Sequence, residues 1–149
     1  MSSNTQTPSH GPELLTDRSI AGIAVHPLAF LTGIIGAGFV YVVSTNEFTR
    51  VNARNALNWH LSVLVLSVVA VVTFVLGADE LTVAGEAMEL SVLPTPLETV
   101  AGLVGTVLLL AAGFAWLLTG LFTAIATVKA IFGTPWEYPL ARDIVKTDI

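Results

Sequence analysis

The chain has 149 residues, of which 54% are hydrophobic and 11% charged, with a net charge of −5 and no cysteine. Soluble domains carry about 25% charged residues, so a supply this thin excludes an ordinary water-covered surface. Without cysteine there are no disulfides, thiolate metal sites or cysteine nucleophiles, and the six Lys and Arg, never in a run, give nothing with which to grip nucleic-acid phosphates.

Residues 1–17 are rich in Ser, Thr, Pro and Gly and are expected to form a disordered tail, because they cannot bury enough apolar surface to offset chain entropy. Glu13 and Asp17 beside Arg18 provide no basic n-region, and the apolar run that follows is too long for an h-region, so no cleavable signal peptide is expected. Residues 18–140 read as a single polytopic membrane domain, and 141–149 as a short tail of mixed charge. The first charge-free run predicts a span at about 20–43. Pro27 removes a backbone donor there, and Gly22, Gly33, Gly36 and Gly38 soften the helix. Two geometries fit: one helix kinked near Pro27, or a short interfacial helix that ends near His26 followed by a crossing from Pro27 to Val43; a re-entrant segment is a further alternative. Ala21, Val25, Ala29, Gly33 and Ala37 recur at i+4 steps, a narrow face for close helix approach within the monomer or in a homodimer.

The polar stretch Ser44 to Ala56 comes next. Arg50, Arg54 and Asn58 stand at i+4 steps with Asn55 beside them, which predicts a short interfacial helix running straight into a second span at about 57–76. Trp59 and His60 are expected at the membrane–water boundary. The second span is dense in valine, a strand former. Twenty residues of strand would nevertheless reach roughly 66 Å, far beyond ordinary strand lengths, so helix is predicted.

Residues 77–98 contain Asp79, Glu80, Glu86, Glu89 and Glu98 and no basic residue. Leu81, Ala84 and Met88 suit an amphipathic turn, whereas Val83 and Ala87 suit alternation, so the local structure of this acidic outer loop stays open. From Thr99 to Val128 there is again no charge, and apolar residues run all the way round. A helix from Val100 to Val128 would measure roughly 43 Å against a hydrocarbon core of about 30 Å, which predicts the third span, 100–128.

The expected class is therefore an all-α integral membrane protein with three transmembrane helices, the first interrupted by Pro and Gly. In that arrangement Arg50, Arg54, Lys129, Arg142 and Lys146 share one side, and Arg18 and the acidic loop share the other. Lys and Arg accumulate on the cytoplasmic side. A multi-pass protein of the cell membrane is expected, N-terminus outside and C-terminus cytoplasmic; in the re-entrant geometry the N-terminus moves inside.

Ionisable groups inside spans are costly and point to function, and only His26 and His60 qualify. His26 precedes Pro27, where the helix ladder is already broken, and reads as an interfacial or locally hydrogen-bonded histidine. Two isolated histidines without a partnering carboxylate make no metal site. Glu86 and Glu89 offer hard oxygen ligands, yet without EF-hand spacing they read as a solvated face. Thr119, Thr123 and Thr127 line up at i+4 steps. Their hydroxyls either bond their own helix at i−4 or meet the Arg50–Asn58 face. Trp116, at mid-span, is expected to pack against a neighbouring helix. No G-x-S-x-G or phosphate loop occurs. No enzyme activity, cofactor or metal is expected, and the candidate residues are structural or interacting: His26, Arg50, Arg54, Asn55, Asn58, Lys129 and Tyr138.

Three stretches in order carry a resemblance. They are Arg18 to Ala24 followed by His26, then Asn52 to Trp59 leading into a span, then Lys129-Ala130 with Gly133 and Tyr138-Pro139-Leu140 after the last one. Together they resemble the small prokaryotic membrane proteins grouped as a domain of unknown function, distantly related to the Tic-twenty component of the chloroplast inner-envelope import machinery. The resemblance implies a helical membrane protein with no catalytic residue. The acidic loop and Asn55 depart from that pattern. The function expected is a non-enzymatic interaction or accessory component, the alternative an oligomeric channel or translocation component. Expected partners are the lipid bilayer and either a second copy or other membrane proteins.

Overall fold

The computed structural model describes residues 18–90 and 92–146; the expected tail at 1–17 lies outside them, as do the last three residues. Among the described residues the chain forms four helices and one β-hairpin: α1 (Ile20–Thr32), α2 (Ile34–Val43), α3 (Glu47–Leu76), β1 (Glu80–Val83), β2 (Glu86–Glu89) and α4 (Thr95–Ile131).

The first apolar segment is not one helix. Ser19 caps α1 by accepting the Gly22 amide at 3.0 Å, and α1 continues through Pro27 without stopping. It ends at Gly33, whose φ of 63° and ψ of −137° suit a residue without Cβ; the Gly33 amide donates to the Ala29 carbonyl at 2.7 Å. At 13 and 10 residues, α1 and α2 measure only about 20 and 15 Å, each short of the roughly 30 Å hydrocarbon core. A Cβ on Gly36 would come within 3.0 Å of the Leu28 side chain and collide with the Thr32 hydroxyl. The return helix therefore folds back on the last turns of α1. The predicted kink at Pro27 is thus replaced by a break six residues later, because glycine, unlike proline, can take the positive φ that reverses the chain.

By contact the chain divides into two units. The first holds residues up to Leu57 together with Thr123–Pro139. Here α1 runs alongside the start of α3 in the same direction: Gly22 lies against Phe48 and His26 against Asn52. On the way back, Gly38 of α2 passes Leu57. Val25, Ala29, Ala37, Ala53, Ala56 and Ala126 are buried, so most of the small-residue stripe is consumed by packing inside the chain. The expected interfacial helix is the first part of α3 itself. Asn46 caps α3, its side-chain carbonyl accepting the Thr49 amide at 2.9 Å and the Thr49 hydroxyl at 3.0 Å. The Gly133-Thr134-Pro135 turn closes α4 as a Schellman motif: Gly133, at φ 78°, donates to the Ala130 carbonyl, and Thr134 donates to that of Lys129.

The second unit holds Asn58–Phe122 and the segment from Leu140. In it α3 and α4 are antiparallel neighbours, with Trp59 bonded to Thr119, Phe74 against Gly105 and Gly77 against Gly102. A Cβ on Gly77 would collide with the Gly102 backbone, and one on Gly105 with that of Phe74; small residues let the two backbones approach. Between them, β1 and β2 pair antiparallel around a two-residue turn, with Glu80 opposite Glu89. The alternating reading of this loop is the one found.

Leu103, Val107, Leu110, Phe114, Leu117 and Leu121 form an apolar stripe on α4, each more than half exposed. Water does not tolerate an apolar face that long on a monomer. The 18-residue apolar windows of α3 and α4 are only 22% and 17% buried, unlike the core helix of a soluble protein. At 30 and 37 residues the helices reach about 45 and 55 Å. The chain is a helical membrane protein with two helices long and apolar enough to cross a bilayer.

We expect Gly105→Val to destabilise the detergent-solubilised protein by about 1–3 kcal/mol or more, as overpacking does. Gly113→Ala should be neutral, because nothing lies within 4 Å of a Cβ there. Gel filtration after graded heating reads both.

Candidate functional site

Polar side chains on helices that enter hydrocarbon must find partners within the protein. In the first unit they do so as a chain of bonds. His26 is fully buried on α1, 2.9 Å from the Asn52 side-chain oxygen through Nε2 and 2.9 Å from the Tyr138 hydroxyl through Nδ1. The Asn52 amide donates to the Phe48 carbonyl at 2.8 Å. That bond turns the Asn52 oxygen toward His26, so Nε2 carries the hydrogen and Nδ1 accepts from Tyr138. Every donor points the same way, from tyrosine to histidine to asparagine to a backbone carbonyl. Burial holds the Tyr138 phenol well above its ordinary range, which keeps it a donor at any physiological pH.

Around this chain lie further ties. Asn55 donates to the Trp136 carbonyl at 3.1 Å and accepts from Arg54 at 3.4 Å. The Thr49 hydroxyl gives its hydrogen to Asn46, so the short bond between Ser19 and Thr49 has Ser19 as donor. Arg18 donates to the carbonyl of Ile131 at 2.8 Å, capping the negative end of α4. The rings of Trp136 and Tyr138 lie 5.3 Å apart.

In the second unit Asn58 grips the backbone of Val145 from both ends, donating to its carbonyl at 3.2 Å and accepting its amide at 2.7 Å. Ser62 accepts the Arg142 amide at 2.8 Å and donates to the Asn58 carbonyl at 2.7 Å. The Trp59 indole donates to Thr119 at 3.0 Å, and its ring meets Phe122 edge-on at 4.9 Å. Trp59 and His60 are buried. Thr119 and Thr127 bond their own helix at i−4, and Trp116, although exposed, reaches Ser67 at 3.2 Å.

His26, Asn55 and Tyr138 thus fall in one cluster, and Asn58 holds the C-terminal segment. Arg50 does not share their face: it is exposed, its guanidinium 5.5 Å over the Tyr41 ring. The Lys129 side chain is exposed, and only its carbonyl is used, at the helix end. Sequence reading passed over Asn52, Ser19 and Thr49. The signal for Asn52 was there, since Asn52, Asn55 and Asn58 recur at i+3 steps on a helix heading into lipid, where unpaired amides are costly. Among the described residues no group of three His, Cys, Asp or Glu is placed to hold a metal ion. The bond chain ends on a carbonyl that has no proton to pass on. Its chemistry is cross-linking: it ties α1, α3 and the segment after α4 together.

Tyr138→Phe and Asn52→Leu should each cost about 1–3 kcal/mol, the penalty for a buried group left without its partner. The double variant should cost less than the sum, because both deletions break one chain. Thermal unfolding in detergent measures the cycle.

No curated protein and no solved structure matches the chain. A family model does, over residues 16–145: the MamF/MmsF magnetosome magnetite crystal formation protein family. This match corrects the Tic-twenty-like assignment, and the translocation reading that leaned on it loses its support. The three stretches behind that resemblance supply Ser19, His26, Asn52, Asn55 and Tyr138 to the cross-links just described. They report how short helices are tied in a membrane, which is a packing need and not an import signature. With nearly the whole chain matched, the protein belongs to the MamF/MmsF family of magnetosome proteins of magnetite crystal formation.

Proposed function

We propose that the protein is a non-enzymatic, membrane-embedded accessory of magnetite formation whose acidic hairpin faces the growing mineral. The observation that carries this is the charge of the link between the two long helices. Asp79, Glu80, Glu86 and Glu89 lie there and Glu98 follows in the first turn of α4, without one Lys or Arg among them, and Glu80 and Glu89 are direct cross-strand partners. Like charges set directly opposite destabilise a hairpin, so cations or a cationic surface on that face would relieve the repulsion. The attraction is that of an extended field, since these carboxylates do not converge on a chelating site.

The same reading includes a topology. We take α1 and α2 as a re-entrant pair and α3 and α4 as the two crossings, with both termini cytoplasmic. Support comes from the start of α1, where Ser19 bonds Thr49 near the start of α3 and Arg18 bonds the last carbonyl of α4. All six Lys and Arg then fall on one side and none on the hairpin side, a sharper charge bias than three crossings allow. The absence of native cysteine suits single-cysteine labelling. On intact isolated magnetosomes an impermeant maleimide should label Arg18→Cys, and should label Glu86→Cys only after detergent opens the vesicle. Labelling of Glu86→Cys on closed vesicles, or protection of Arg18→Cys, overturns this topology.

Function is tested by the combined variant Asp79→Asn, Glu80→Gln, Glu86→Gln and Glu89→Gln. We expect unchanged membrane abundance with crystals shifted toward the size distribution of cells lacking the protein. Wild-type crystals at equal abundance would remove the hairpin from the account.

A further inference from the structure

A groove of about 690 Å³ runs along α3 and α4 within the second unit, in the size range of small-molecule sites. Val63, Leu66 and Val69 line it from α3, and Ala111, Phe114 and Leu118 from α4. One end is closed by Trp59 and by the segment Leu140–Ile144, which the Ser62 and Asn58 bonds hold in place. From Trp59 to Val69 the groove follows ten residues of helix, about 15 Å, half of a hydrocarbon core roughly 30 Å thick. That is the depth of one leaflet. At the closed end stands Arg142, exposed, its guanidinium taking no partner among the described residues.

We propose that the groove is a binding site for one anionic phospholipid, with an acyl chain along α3 and α4 and the phosphate paired with Arg142. Two independent features choose this occupant. An apolar trough one leaflet deep matches a single acyl chain. A lone cation at its mouth matches the headgroup, because guanidinium pairs with phosphate through charge-assisted, bidentate bonds. Basic pockets between membrane helices hold anionic headgroups in this manner. The site does not depend on the hairpin: it serves to fix the lipid environment of the helix pair, whatever lies beyond the other surface.

Full-length protein carrying Trp116→Phe and Trp136→Phe leaves Trp59, at the groove wall, as the reporter. It is reconstituted in phosphatidylcholine vesicles containing a small fraction of either brominated-acyl phosphatidylglycerol or brominated-acyl phosphatidylcholine. The phosphatidylglycerol should quench Trp59 at about tenfold lower mole fraction, and Arg142→Gln should erase the difference, as expected for loss of one charge-assisted pair. In parallel, native mass spectrometry of the unmodified chain should retain phosphatidylglycerol, and the Arg142→Gln chain should not. Equal quenching by the two lipids, a difference that survives Arg142→Gln, or a stable dimer that shields Trp59 from both lipids would each overturn the proposal.

Discussion

The fold depends on one constraint: polar side chains that enter the apolar part of this molecule, His26, Asn52 and Tyr138 foremost, are held by hydrogen-bond partners within the chain. His26 is the hinge of that requirement. Its two nitrogens are claimed by α3, through Asn52, and by the segment that follows α4, through Tyr138, so three pieces far apart in sequence are joined at one ring. Lipid offers no hydrophobic reward for holding two apolar helices together. Directional bonds and close backbone contact must do it instead.

The two units meet that need by different means. In the first, short helices carry many polar groups, and specificity comes from bonds: Ser19 to Thr49, Asn55 to the Trp136 carbonyl, Arg18 to the end of α4. In the second, the pair α3 and α4 is held at one end by Trp59 against Thr119 and Phe122. Elsewhere glycine permits contact too close for any side chain, at Gly77 with Gly102 and at Gly105 with Phe74. Valine-rich α3 remains a helix because a bilayer leaves no partner for strand edges. Polar groups turn outward at the hairpin, where carboxylates accumulate.

Membership of a magnetite-formation family gives these features a setting. A cross-linked helical anchor suits a protein that holds a surface in position. We propose the carboxylates of the hairpin as that surface. On that proposal, stiffness in the anchor is useful in itself, because an array of charges acts on a mineral face only while its members keep their spacing.

Much of this was legible in the order of residues. Charge-free runs within 57–76 and 100–128 predict α3 and α4, because hydrocarbon length and the cost of burying charge act on composition alone. The acidity of 77–98 is equally plain, and so is the place of His26 beside a disturbed stretch of helix. What tertiary structure alone decided is how the first apolar segment ends and whom its histidine meets. Twenty-four residues without Asp, Glu, Lys or Arg satisfy the length rule whether they cross or turn back, and the turn back is made by the positive φ at Gly33 and by Gly36 against Leu28. Likewise no local pattern ties residue 26 to residues 52 and 138. Such a bond exists only once helices pack, so composition could place the polar groups near lipid but could not pair them.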